Sequence, residues 1–381
     1  MNSGFCRMAS LTALLVMSAC GPEPPYEPGP LREGEACPWK VMLRVNDHWL
    51  ATHEDPGGNK WARAVYFMGD MAAHDTLGEP AYLEYALDWA TTNDWSVHRG
   101  THTRNADDHA AGQTYLALHE LHGDPLRIAA ISAAVGHVVN SDARDDWSWI
   151  DAIFMAAPVF AGLGRVSGDP HYVAAMMELY EDARLRRGLY DPEEGLWYRD
   201  ESYRYPVVVS RSGEKEFWAR GNGWVIAALV RVLEQLPAES PHRREFVAML
   251  RTMAAALAAV QRDDGFWNVS LHDPDDHGGR ETSGTALFTY AIAWGIREGH
   301  LDPDVYEPVV ERAWTGMVRY AVGRDGHLGY VQGVGESPRS AQPVSFDSTA
   351  DFGVGVFLLA GSQVDALELE LGCDVPGDGS R

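Results

Sequence analysis

Arg220-Gly-Asn-Gly-Trp224, followed by Val225-Ile-Ala-Ala-Leu-Val-Arg-Val-Leu-Glu-Gln-Leu236, is a short polar opening that runs straight into an apolar helix. Apolar residues recur there at spacings of three and four, the period of a helix buried on most sides. The same arrangement returns at residues 53–60, 105–109, 145–151, 281–284 and 347–351, each time ahead of an apolar, Ala/Gly-rich segment. Between these segments lie stretches with charges mixed into the apolar stripe, at 80–92, 125–139, 170–184, 241–260 and 304–322. The turns joining them read Gly78-Glu-Pro-Ala-Tyr82, Gly123-Asp-Pro125, Gly168-Asp-Pro-His-Tyr172 and Leu301-Asp-Pro303. Gly past one helix and Pro just inside the next is the punctuation of a helical hairpin. With residues 39–53 as the opening outer helix, six inner and six outer helices follow, and an all-α (α/α)6 barrel fits best. An open solenoid fits poorly, because the spacing of the repeats is uneven. In a closed ring the polar openings meet at one end, which predicts a single cleft.

The chain has 381 residues, 45% of them hydrophobic, enough for one large core. Residues 39–368 read as one catalytic-sized domain and 369–381 as a tail. A formal charge of −24 argues against nucleic acid or an anionic membrane as a diffuse partner. Residues 1–19 read as a leader, with Arg7 ahead of an apolar stretch too short to span a bilayer. Val16-Met-Ser-Ala-Cys20 resembles a lipoprotein processing site, so Cys20 is expected to carry lipid and to be the only link to a membrane. The Pro/Gly/Glu-rich residues 20–38 are then a tether, and the protein is exported and anchored in a bacterial cell envelope. That leaves Cys37 and Cys373, one at each end of the domain, as a disulfide or as two thiols.

The residues able to do chemistry sit in the openings. Asp151, among Trp149, Ile150, Ile153 and Phe154, is poorly solvated. Such a carboxyl is either a neutral general acid or a first-turn Asp stabilising its helix. Of Asp107 and Asp108, one caps a helix and the other faces the cleft; Asp108 is the expected inward residue, since a cap stands earlier. Arg220 and Trp224, four apart, share one helix face. Together they offer a guanidinium for a carboxylate and a flat wall for a ring, unless Arg220 pairs with a structural acid. Tryptophans at 61, 147, 149, 218 and 224 suit platforms for sugar rings. Glu281-Thr-Ser-Gly284 reads first as a helix cap. The long loops at 190–211 and 265–279 are expected as walls or lids. No metal-ligand spacing, phosphate loop or Ser-His-Asp arrangement stands out.

Taken together, Ala106-Asp-Asp-His-Ala-Ala-Gly-Gln-Thr-Tyr115, Ile150-Asp-Ala-Ile-Phe-Met-Ala-Ala-Pro158, Phe217-Trp-Ala-Arg-Gly-Asn-Gly-Trp224, Glu281-Thr-Ser-Gly-Thr285 and residues 352–361 resemble unsaturated uronyl hydrolases. These are glycoside hydrolase families 88 and 105, and family 105 is the nearer resemblance. It implies an (α/α)6 barrel with no required cofactor or metal. It also implies hydrolysis by hydration: C4 of a 4,5-unsaturated uronate is protonated, water adds at C5, and the hemiketal opens and expels the aglycone. On this resemblance Asp151 is the acid/base and Asp108 the second aspartate, while Arg220 and Trp224 hold the unsaturated sugar. Trp149, His109, Arg199, Trp218 and Asn222 are the further expected substrate contacts. Arg199 stands where some members carry a His, which bears on the aglycone. One acid suffices for both proton transfers, unlike the paired carboxylates of ordinary glycosidases. The expected substrate is a lyase-generated acidic oligosaccharide of rhamnogalacturonan or pectin type, handled by a monomer or weak oligomer. A polysaccharide lyase on a similar barrel and a non-catalytic glycan-binding lipoprotein are the alternatives.

Overall fold

The structure is a computed structural model that describes residues 29–371 and Cys373. The leader, Cys20 and the first part of the tether lie outside the described residues. The chain opens with α1 (Pro38–Thr52) and proceeds in pairs. These are α2 (Trp61–Leu77) and α3 (Pro80–Thr92), then the single turn α4 (Ala106–His109), α5 (Ala111–His122) and α6 (Leu126–Val139). Next come α7 (Asp151–Ser167) and α8 (Pro170–Glu181), α9 (Ala219–Gln235) and α10 (Arg243–Ala259), α11 (Thr282–Arg297) and α12 (Pro303–Tyr320), and finally α13 (Asp351–Ala366).

Helices α2, α5, α7, α9, α11 and α13 pack side by side in that order, and α13 closes on α2. Helices α1, α3, α6, α8, α10 and α12 form the outer ring. The inner helices are buried nearly all round: in α7 every residue from Ala152 to Gly164 is inaccessible. Outer helices keep an exposed face, as their mixed stripes predict. The ring closes tightly because glycines meet where α2 and α13 cross. A Cβ on Gly69 would land on the Gly355 carbonyl, and one on Gly355 on the Val65 carbonyl.

The hairpin turns have the expected chemistry. Gly78, Gly123 and Gly168 end their helices at φ of 71°, 70° and 72°. That region is open to glycine at no steric cost, and each N–H returns to a carbonyl four residues back. Asp169 and Asp302 then cap the next helices, which begin at Pro170 and Pro303. Strand is confined, among the described residues, to a two-residue ribbon, β1 (Tyr190–Asp191) against β2 (Leu196–Trp197), and isolated bridges. After α13 the chain returns to the start of α1, where Cys373 is joined to Cys37 with Cα atoms 5.1 Å apart.

Candidate active site

The N-terminal ends of the inner helices α2, α7 and α9, with the turn α4, line one cavity of about 410 Å³. Its walls come from Trp61 on α2, Asp107 on α4, Trp149, Asp151 and Met155 around the start of α7, Arg220 and Trp224 on α9, and the 198–201 loop through Arg199. Val334, Gly335, Glu336 and Ser340 close it from the long segment between α12 and α13. A larger recess of about 1210 Å³ lies between residues 29–35 and the end of α12; none of the expected site residues lines it.

Asp151 is the first residue of α7, and its side chain is 13% exposed. Burial raises its pKa above the ordinary aspartate value; the guanidinium groups of Arg199 and Arg220 pull it partly back. Its Oδ2 is buried without a hydrogen-bond partner. A carboxyl so placed holds its proton more firmly than a surface aspartate, as a general acid requires.

The second carboxylate is Asp107, not Asp108. Asn105 takes the cap of α4, its side chain accepting the Asp107 N–H at 2.9 Å, so Asp107 is free to face the cavity. Its pKa is pushed up to about 6 by burial and by the neighbouring charges of Asp151 and Asp108. Asp108 points the other way, into the Nε–H of Arg99 at 2.8 Å and the hydroxyl of Thr103. The expected order, with Asp107 as cap and Asp108 inward, does not hold because Asn105, two positions earlier, takes the cap.

Arg220 is buried and spoken for by backbone. One of its terminal nitrogens donates to the Gln332 carbonyl at 2.6 Å and the other to the Gly333 carbonyl at 2.8 Å. Its charge lies 4.6 Å from the centre of the Trp218 ring and 5.0 Å from that of Phe352. Glu281 caps α11 through the N–H groups of Ser283 and Gly284 and also accepts the Gln332 N–H. Arg220 thus pins the 332–345 segment over the cavity while still lining it.

Three expected contacts lie behind the wall. Trp218 is 2% exposed and its indole N–H donates to Gln332. The fully buried Asn222 bonds the Trp197 N–H and carbonyl, fixing the ribbon to α9. His109 is 1% exposed, packs near Phe160, and burial lowers its pKa. Of the two loops expected as walls, 190–211 contributes Arg199, whereas 265–279 contributes nothing to the lining. The 334–340 residues were missed; Gly333-Val-Gly335 before Pro338 is the only local hint of a shaped loop.

A buried carboxyl that favours its protonated form, beside a second carboxylate at the mouth of a helical toroid, fits the acid/base chemistry of a glycoside hydrolase. The profile described as Glycosyl Hydrolase Family 88 matches residues 36–367, and the chain belongs to that family. It is 31% identical over 333 residues to the Unsaturated 3S-rhamnoglycuronyl hydrolase of Formosa agariphila, covering 81% of this chain and 85% of that one. A solved glycosyl hydrolase family 88 structure from Bacteroides vulgatus superposes with a TM-score of 0.83 at 35% identity, over 88% of this chain and 99% of that one. Another, titled a polysaccharide lyase, gives 0.82 at 36% identity over 87% of this chain and 98% of its own.

Proposed function

We propose that the enzyme removes a 4,5-unsaturated uronyl residue from the non-reducing end of acidic oligosaccharides in which that residue is linked to rhamnose. The carrying observation is Asp151: a buried carboxyl at the mouth of the toroid, facing Asp107 across a cavity of about 410 Å³. That volume suits a small oligosaccharide end rather than a polymer strand. Neutral Asp151 gives its proton to C4, and the π electrons of the double bond form the new C–H bond. Positive charge then develops at C5 and its ring oxygen, where water adds while ionised Asp151 takes its proton. The hemiketal opens to a ketone at C5, and the aglycone leaves from C1. Trp149 supplies a flat wall, Trp224 backs the cavity from the core with 1% of its surface exposed, and the arginines lend positive potential for the uronate. The name of the Formosa relative supports a rhamnoglycuronyl substrate over the pectic one that the family resemblance suggested.

Asp151→Asn is expected to abolish the loss of ultraviolet absorbance from lyase-generated disaccharides, with and without sulfate on rhamnose, while binding persists. Comparable turnover in that variant would remove Asp151 from the reaction. The relative titled a lyase motivates one competing outcome. Absorbance that rises on an intact polysaccharide would indicate elimination instead of hydration.

We also propose that the protein lies outside the cytoplasm, anchored through Cys20. The lipoprotein-like processing site and the Cys37–Cys373 disulfide support this, since such bonds persist in oxidising compartments. Mass spectra of the membrane fraction showing an unlipidated Cys20 would remove the anchor.

A further inference from the structure

We propose that Arg199 is a positioning residue for Asp151, a cation held just out of hydrogen-bond reach so that the acid can alternate between its two protonation states. The inference rests on Asp151 being the acid of the proposed reaction.

The 198–201 loop is stitched to the start of α7. The Ile150 N–H donates to the Arg199 carbonyl at 2.9 Å, and Trp149 and Asp200 form an antiparallel bridge. Arg199 is therefore indexed by backbone to the residue beside Asp151. Its Nε stands 3.9 Å from Asp151 Oδ2, and both atoms are buried without a hydrogen-bond partner. From the far side the guanidinium is steadied by Asp200, whose Oδ2 accepts from Nη1 at 2.5 Å, with Glu336 at 3.8 Å.

A separation of 3.9 Å is too long for a hydrogen bond, but Coulomb attraction persists there, strengthened where water is excluded. That difference matters for an acid that must also serve as a base. A direct bidentate bridge would hold Asp151 ionised and unable to donate to carbon. Burial without any cation would leave the anion unsupported after the proton has gone. A guanidinium at this distance supports the anion without committing the group to it. The other charges around Asp151 are Arg220 from α9, which acts in the same sense, and Asp200, which opposes. Asp107 faces it from α4, and Glu336, on the 332–345 segment, lies beyond Arg199.

The test reads Asp151 directly, by carbon-13 carboxyl titration in the full chain, with the resonance assigned by its absence in Asp151→Asn. Arg199→Gln is expected to raise the apparent pKa by about 1–3 units, and Arg199→Lys to restore most of it. Asp200→Asn removes an opposing charge and is expected to lower it. The falling alkaline limb of kcat/KM on unsaturated disaccharides should move with each titration. A pKa unmoved in Arg199→Gln overturns the proposal. So does Asp200→Asn shifting in the same direction as Arg199→Gln, which a collapsed loop would give. If the titrations move as expected but no unsaturated oligosaccharide is turned over, the role of Arg199 stands and the substrate reading fails.

Discussion

Asp107 and Asp151 line the same cavity, but only Asp151 carries the proposed proton transfers, and their surroundings tell the two carboxyls apart. Asp151 has two arginines against its burial, whereas Asp107 meets burial and two carboxylates with compensation only from Arg99 and Arg199. The folded pKa of Asp107, about 6, therefore exceeds its unfolded value near 3.8. A group shifted in that direction favours folding most below the unfolded value, and that contribution is lost as pH rises towards 6. Asp107→Asn should therefore be thermally more stable than the wild type at pH 7, with the gap closing as pH falls to about 4, while kcat drops by roughly 10²–10⁴-fold. Melting curves at the two pH values and initial rates check both halves. Equal melting temperatures at pH 7 would mean that the Asp107 carboxyl is not strained. The pair Asp107 and Asp108 was legible as a site in the sequence; which member faces the cavity was not, because neighbouring helical positions differ by about 100° of rotation and the Asn105 cap decides which one points inward.

Helix α9 and the 332–345 segment act as one element through Arg220. The Arg–Trp spacing revealed a residue at the cavity, but not that both terminal nitrogens of Arg220 are bonded to backbone 112 and 113 residues further on. A carboxylate clamp and a loop anchor need the same guanidinium, and local sequence cannot tell them apart. Arg220→Gln should release the segment: hydrogen exchange across residues 330–345 is expected to quicken, and KM to rise several-fold as the wall loosens. Each lost charged hydrogen bond is worth about 1.5–3 kcal/mol, enough to shift that local equilibrium. Unchanged exchange there would show that Trp218 and Glu281 hold the segment without it. Asn222 teaches the same lesson: polar and glycine-flanked, it looks like a ligand, yet it bonds the ribbon that carries Arg199 into place.

For the whole molecule, the clasp between Cys37 and Cys373 closes a loop of 336 residues and ties α1 to the end of the last inner helix. Cross-links of long loops typically contribute about 2–5 kcal/mol. Melting should therefore occur at higher temperature without reductant than with it, and Cys37→Ser should erase that difference. A melting temperature indifferent to reductant would mean that the two thiols stay open, and would weaken the argument for export. The toroid was legible in the order of residues. Period, glycine stops and proline starts are local, and helices alternating between fully and half-buried faces suit an inner and an outer ring, which the uneven repeat spacing favours over an open solenoid. That order also determined which end bears the chemistry, since every polar opening precedes an inner helix. Long-range packing sets the rest: Asp107 turns inward, Arg220 holds a distant backbone, and Arg199 stops 3.9 Å short of Asp151. Those outcomes depend on partners tens to hundreds of residues away, and on rotations within a single helical turn, neither of which periodicity encodes.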